Sequence, residues 1–113
     1  MSIEGQMKTV QALVEFFARV DKQFKLRHME MFLAIIRHKM ESQDIPLTQQ
    51  DLIERYDINT STASRDVEYL GDTRGGLHLI STSRLSSNRK INEIHLTQKG
   101  EALKKKVCEL LAS

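Results

Sequence analysis

A run of short polar side chains at positions 59–65, NTSTASR, holds the groups in this sequence best suited to hydrogen-bonding chemistry. It combines one amide, four hydroxyls and one guanidinium, interrupted only by Ala63. Such groups bond to base edges and phosphate oxygens, and an arginine can bind guanine O6 and N7 together. The run therefore predicts contact with double-stranded DNA. The candidate contacts, with those at the preceding helix start, are Thr48, Gln49, Asn59, Thr60, Ser61, Thr62, Ser64 and Arg65.

Other kinds of chemistry find little support in the sequence. It contains no phosphate-binding loop, nucleophile elbow or zinc-protease motif. His28, His38, His78 and His95 lack the close spacing of metal ligands, although the last two could meet across a hairpin. Cys108 lies near the apolar face of the last predicted helix, where an inert thiol is expected more than a redox switch. We therefore expect no enzyme, no metal and no cofactor.

The polar run must begin a helix if it is to face a DNA groove. Asn59 can cap a helix over residues 60–70 whose inward positions are Ala63, Val67 and Leu70, and Gly71 can close it. A turn of 100° per residue then places Ser61, Arg65 and Glu68 outward, with Thr62 and Ser64 beside them. The helix end would also direct unpaired N–H groups toward phosphates. The alternative is that Asn59, Thr60 and Ser61 only cap the helix and that Arg65 is merely solvated.

The remaining elements are predicted from the spacing of apolar residues and from helix N-caps. Apolar residues at helical spacing predict a first helix over about 7–25 (Val10, Leu13, Val14, Phe17, Val20, Phe24) and a second before Pro46 (Met29, Phe32, Leu33, Ile36, Met40). Thr48 caps a short third helix, and Thr97 caps a last helix that ends near 112. Between them LHLIS and INEIHL alternate as strands, joined by a long basic tip, TSRLSSNRK. The tip offers Arg84, Arg89 and Lys90 to the phosphate backbone or minor groove, or to solvent alone.

Composition is that of a single soluble domain spanning 1–113, with 40% hydrophobic residues, 28% charged residues and one cysteine. Residues 65–106 carry nine Lys or Arg and five Asp or Glu, which favours a polyanionic partner on that side. The N-terminal segment lacks the features of a signal peptide, and no window is apolar enough for a membrane span. We expect a cytoplasmic protein that does not bind membranes.

Several motifs resemble those of the MarR family of bacterial transcription regulators. They are Ser64-Arg65 in the fourth helix, Gly76-Leu77, Asn88-Arg89-Lys90 and LTQKG at 96–100, and the resemblance spans about residues 28–111. It implies a homodimer on a pseudo-palindromic DNA site, with the first and last helices at the interface and Arg89 in the minor groove. A small-molecule effector is possible but has no support in the residues.

The fold expected is mainly α (α+β), a winged helix-turn-helix with flanking dimerisation helices at about 7–25 and 97–112. Residues 28–96 would form the DNA-binding core, with a recognition helix at 60–70 and a wing at 81–92. A dimer is also expected because both flanking helices carry apolar stripes, although the stripes could instead pack on each other within one chain. The function expected is a sequence-specific regulator. The alternatives are a winged-helix protein of plasmid or phage replication or partition, and one that binds another protein.

Overall fold

Helices precede and follow a single hairpin in the computed structural model, which describes residues 2–73, 75–85 and 88–112, apart from the side chains of 85 and 88–90. In the described part the elements are α1 (Ile3–Val20), α2 (Leu26–Glu41), α3 (Gln49–Tyr56), α4 (Thr60–Leu70), β1 (Ile80–Leu85), β2 (Asn88–Leu96) and α5 (Gln98–Ala112). The two strands form one antiparallel sheet. The chain is thus mainly helical with a small sheet, which confirms the α+β expectation at this level.

The first helix lies several residues earlier than the sequence predicted. Ser2 caps it, because its Oγ accepts the Gly5 N–H at 3.0 Å, and Asp21 ends it in an extended conformation. Phe24 therefore lies outside the helix, where its ring packs against Phe17 with centroids 5.0 Å apart. The apolar period continued past the true end because a loop residue can fill the same core position.

The core lies where α1, α2, α4 and the hairpin meet, and it is built almost wholly from apolar side chains. Those less than 2% exposed include Phe17, Met31, Phe32, Ile35, Leu47, Leu52, Ala63, Leu70, Leu79, Ile80, Ile94 and Val107. In α1 the predicted single stripe divides, since Leu13 and Phe17 are buried while Val10 and Val14 remain exposed. The helix α1 also packs beside α5 within the chain, as one alternative had it.

The hairpin differs from its prediction at both ends. Residues 77–79 lie before β1. Their N–H groups donate to the carbonyls of Tyr69, Gly71 and Leu70, so this segment is bonded to the end of α4. His78 has a φ of 60°, which an extended strand excludes. Residues 82–85 belong to β1 and residues 88–90 to β2, so the predicted long tip over 82–90 is wrong. The polar residues there show no hydrophobic alternation, so the sequence pattern did not indicate a strand. Main-chain hydrogen bonds alone extend the ladder through them.

Main-chain contacts fasten the hairpin to its neighbours. The Ile94 N–H donates to the Leu47 carbonyl at 2.7 Å, and Thr48 forms an isolated bridge with Glu93, so β2 is tied to the start of α3. At the other side, the Thr97 N–H donates to the Leu79 carbonyl at 3.1 Å. With the bond from the Leu79 N–H to the Leu70 carbonyl at the end of α4, these bonds place the hairpin beside α3 and α4.

Gly100 allows α5 to begin close to the hairpin. A Cβ at this position would overlap the carbonyl oxygen of Leu79, so no other residue fits without a backbone shift. The Gly100 N–H donates to the Thr97 hydroxyl at 3.0 Å, which confirms Thr97 as the cap of α5. The glycine of the LTQKG motif is therefore required by a close backbone approach.

Candidate nucleic-acid interface

The helices α3 and α4 are set by two caps and a tight connection. Thr48 caps α3, as the sequence predicted, because its hydroxyl accepts the Asp51 N–H at 3.1 Å. The Asp51 carboxylate in turn accepts the Thr48 N–H at 3.0 Å. Asp57 then adopts a left-handed conformation with φ 56°. The next N–H, from Ile58, returns to the Leu52 carbonyl at 3.0 Å, and Ile58 is buried. Only residues 57–59 separate the two helices, which fixes their relative orientation.

Asn59 caps α4, as predicted. Its Oδ1 accepts the Ser61 N–H at 2.9 Å and the Ser61 hydroxyl at 2.6 Å. Both side chains therefore take part in capping, although each remains exposed. Thr60 is exposed as well, and Thr62 is half-buried. The first turn of α4 thus presents amide and hydroxyl groups to solvent while using some of them to stabilise itself.

The outward face of α4 matches the helical-wheel prediction. Ser64, Arg65 and Glu68 are exposed, whereas Ala63 and Leu70 are fully buried. Arg65 makes no ion pair among the described residues, so its guanidinium is available to a ligand. The polar face and the apolar face of this helix are therefore cleanly separated, with one exception described below.

The two candidate contacts at the start of α3 also stabilise the fold. The Gln49 amide donates to the Ser64 hydroxyl at 3.0 Å and links α3 to α4. Thr48 is half-buried and its hydroxyl accepts the Asp51 N–H, so it primarily caps α3. Gln49 therefore lies beside the exposed face of α4.

The hairpin flanks α4 on the side of Ser64 and Glu68. A groove of about 230 Å³ separates the two elements, and its lining includes Glu68, Asp72, Thr82 and Asn92. None of the described residues that line this groove is Lys or Arg. Arg84 is exposed on β1. The side chains of the other two wing candidates, Arg89 and Lys90, lie outside the described part.

Asp66 is the exception on α4, since it is 1% exposed and sequence reasoning did not place it inside. Its Oδ1 accepts the Arg27 Nε–H at 2.9 Å and lies 3.2 Å from His28 Nε2. The His28 Nδ1 accepts the Lys25 N–H at 2.9 Å, so the proton of the neutral ring is on Nε2 and is donated to Asp66. This buried cluster joins the start of α2 to the middle of α4.

Ring contacts and burial complete the cluster. The His28 ring stacks on Tyr69 with centroids 4.0 Å apart and planes 24° apart. Burial lowers the pKa of His28 from 6.5, and it outweighs the opposing attraction of the Asp66 carboxylate. Burial, aided by the Asp21 carboxylate, raises the pKa of Tyr69 to about 12. The only signal in the sequence was the position of Asp66, three residues after Ala63 and four before Leu70, on the inner side of α4.

The described residues hold no cluster suited to a metal ion. No group of three or more His, Cys, Asp or Glu side chains comes together within ranges 2–73, 75–85 and 88–112. His95 Nε2 lies 2.8 Å from the Ser83 hydroxyl across the hairpin. Cys108 is half-buried against α2, beside Met40. Over the same ranges, every helix is too short or too polar to cross a bilayer.

Comparisons with known proteins add no relative. A scan of the chain against models of known protein families finds no match, and a search of curated proteins finds none.

Proposed function

We propose that this protein is a winged helix-turn-helix regulator that binds specific double-stranded DNA sequences as a homodimer. In this proposal α3 and α4 are the helix-turn-helix, α4 enters the major groove, and the hairpin is the wing beside it. The observation that carries it is the outward face of α4, where Ser64 and Arg65 are exposed at the end of a polar first turn and Arg65 makes no ion pair with any described side chain. Arg65 would read a guanine, and the short hydroxyl side chains would position the helix.

The proposal assigns a surface to the dimer as well. Along α1, Ile3, Met7, Val10 and Val14 are 76%, 65%, 59% and 43% exposed and recur every three or four residues on one side. A second apolar surface lies between α2 and α5, where Met40 and Leu111 are 62% and 50% exposed. Contiguous apolar faces of this kind favour a protein partner, and a second copy would cover both. Two α4 helices about 34 Å apart would then fit successive turns of a pseudo-palindromic site.

Selection of bound fragments from random double-stranded DNA tests this function. The proposal expects an enriched sequence with two inverted half-sites, and expects Arg65→Ala to weaken binding and relax the preference at one position by about 1–3 kcal/mol. Arg55→Ala is the matched control, because Arg55 is an exposed arginine whose guanidinium lies over Tyr56 on α3.

Three outcomes separate the alternatives. Enrichment of promoter sites with altered transcription supports the proposal. Enrichment of repeats outside promoters, with transcription unchanged, supports a role in replication or partition. No enrichment, with Arg65→Ala and wild type retained equally on DNA, contradicts DNA recognition and favours a protein-binding module.

A further inference from the structure

The two flanks of α4 differ in charge. On the hairpin side, the groove beside Ser64 carries the acids Glu68 and Asp72. On the other side, Arg65 and Tyr69 face a cleft of about 380 Å³ between α4, the start of α2 and the turn that follows α1. Four cationic side chains line this cleft, namely Lys22, Lys25, Arg27 and Arg65. Among the described side chains that line these two cavities, the carboxylates Glu68 and Asp72 therefore lie on the hairpin side and the cations on the other side.

The carboxylate in the cleft does not cancel its charge. Asp66 is 1% exposed and accepts hydrogen bonds from Arg27 and His28, so it lies in the floor and is matched by Arg27. His28 stays neutral near pH 7 because burial lowers its pKa. Lys22 and Lys25 are exposed, and they make no ion pair among the described residues. The free charge of the cleft is therefore positive, because Lys22, Lys25 and Arg65 outnumber the Asp21 carboxylate near Tyr69.

The position of the cleft relates this charge to DNA. A helix in a major groove roughly 12 Å wide has a phosphate backbone on each side. Because Arg65 belongs both to the outward face of α4 and to the cleft, a DNA backbone on that side would pass the turn at 21–25. The opposite backbone would approach the acidic groove and must be met by the hairpin instead.

We propose that the cleft beside α4 is a phosphodiester-binding site in which Lys22 and Lys25 hold the DNA backbone on the side of α4 opposite the hairpin. The inference rests on the proposed function and deepens it by naming a second, sequence-independent contact in the turn between α1 and α2. Arg27 acts there as a positioning residue, since its guanidinium is bonded to Asp66.

The salt dependence of binding tests the site without knowledge of a preferred sequence. Each phosphate contact adds about 0.9 to the slope of log affinity against log salt, which is roughly 3.5-fold in affinity between about 50 and 200 mM. We expect Lys22→Ala/Lys25→Ala to bind a labelled mixed-sequence duplex with a slope shallower by about 1.8 per bound protomer. Over that salt range, the double variant should lose about 12-fold less affinity per protomer than wild type.

Controls keep the result specific. Lys105→Ala removes one exposed lysine on α5, away from the cleft, and should leave the slope unchanged. Lys25→Arg should retain the wild-type slope because the charge is kept. The substitutions at position 25 preserve the main-chain N–H that bonds His28, and circular dichroism would verify that the variants are folded.

The outcomes distinguish the inference from the function on which it rests. If Arg65→Ala weakens binding while the double lysine variant keeps the wild-type slope, the cleft site is wrong and the regulator proposal stands. A loss of slope of about 0.9 in Lys105→Ala, half that of the double variant for half the charge removed, would also overturn the site, since net charge alone would explain both. If wild type does not bind the duplex at low salt, both proposals fail together.

Discussion

Replacing Asp66 with alanine tests the buried cluster that joins α2 to α4. The side chain is 1% exposed, and its Oδ1 accepts from Arg27 at 2.9 Å and from His28 at 3.2 Å. The substitution removes both bonds from a position that water does not reach. The protein should fold but with a lower free energy of unfolding.

The two partners contribute unequally to the expected loss. His28 is 4% exposed, so its Nε2–H would be left buried and unpaired, at a cost of about 1–3 kcal/mol. The Arg27 side chain is 41% exposed and can turn to water, so its lost ion pair costs about 1 kcal/mol or less. The buried Oδ2 of Asp66 has no hydrogen-bond partner among the described residues, and its removal offsets part of this cost. The net destabilisation should be about 2 kcal/mol.

Urea denaturation followed by circular dichroism measures this loss. A change of about 2 kcal/mol lowers the midpoint by roughly 1 M when the slope m is near 2 kcal/mol per M and unchanged. Glu68→Ala is the matched control, because it removes an exposed carboxylate from the same helix and should alter stability by about 0.5 kcal/mol or less.

A double-mutant cycle with Arg27→Ala isolates the ion pair. Arg27→Ala should destabilise wild type measurably and the Asp66→Ala variant very little, because Asp66 is the residue to which Arg27 is bonded. A wild-type midpoint for Asp66→Ala, or equal effects of Arg27→Ala in both backgrounds, would refute the role given to this cluster.

Four further outcomes are expected. Glu68→Gln should tighten binding to duplex DNA by up to about 1 kcal/mol, roughly fivefold, because it removes an exposed carboxylate beside the approaching backbone; fluorescence anisotropy at low salt checks this. Met7→Lys should convert a dimer to monomers in light scattering because it charges the exposed stripe of α1, whereas Gln43→Lys adds the same charge in a loop and should not. Folding lowers the pKa of His28, so the stability that its neutral ring contributes is complete above about pH 6.5. That stability is lost as the pH falls from about 6.5 toward the lowered pKa. Over this pH range the urea midpoint of wild type should therefore fall more than that of His28→Gln. Gly100→Ala should cost about 1–3 kcal/mol in thermal unfolding, since its Cβ meets a backbone carbonyl that cannot move alone; a wild-type melting temperature would show that the backbone relaxes.

Local signals in the sequence determined the helix starts. Thr48, Asn59 and Thr97 each cap the helix that follows, because a cap involves a side chain and N–H groups only two or three residues away. The outward face of α4 was predictable for a similar reason, since helical period alone separates Arg65 from Ala63. The apolar period failed at the end of α1, where the loop residue Phe24 fills a core position, and in the polar half of the hairpin, where main-chain pairing forms the strands.

The tertiary structure alone decided which distant groups meet. Arg27 and Asp66 are 39 positions apart, and nothing local marks either as a partner of the other. The cationic cleft depends on the same packing, because it joins Lys22 and Lys25 of a turn to Arg65 of a helix. The acidic groove on the opposite flank exists because main-chain bonds fasten the hairpin beside α4. Caps and period act within a few residues, whereas the charge on each side of α4 is set by how the elements pack.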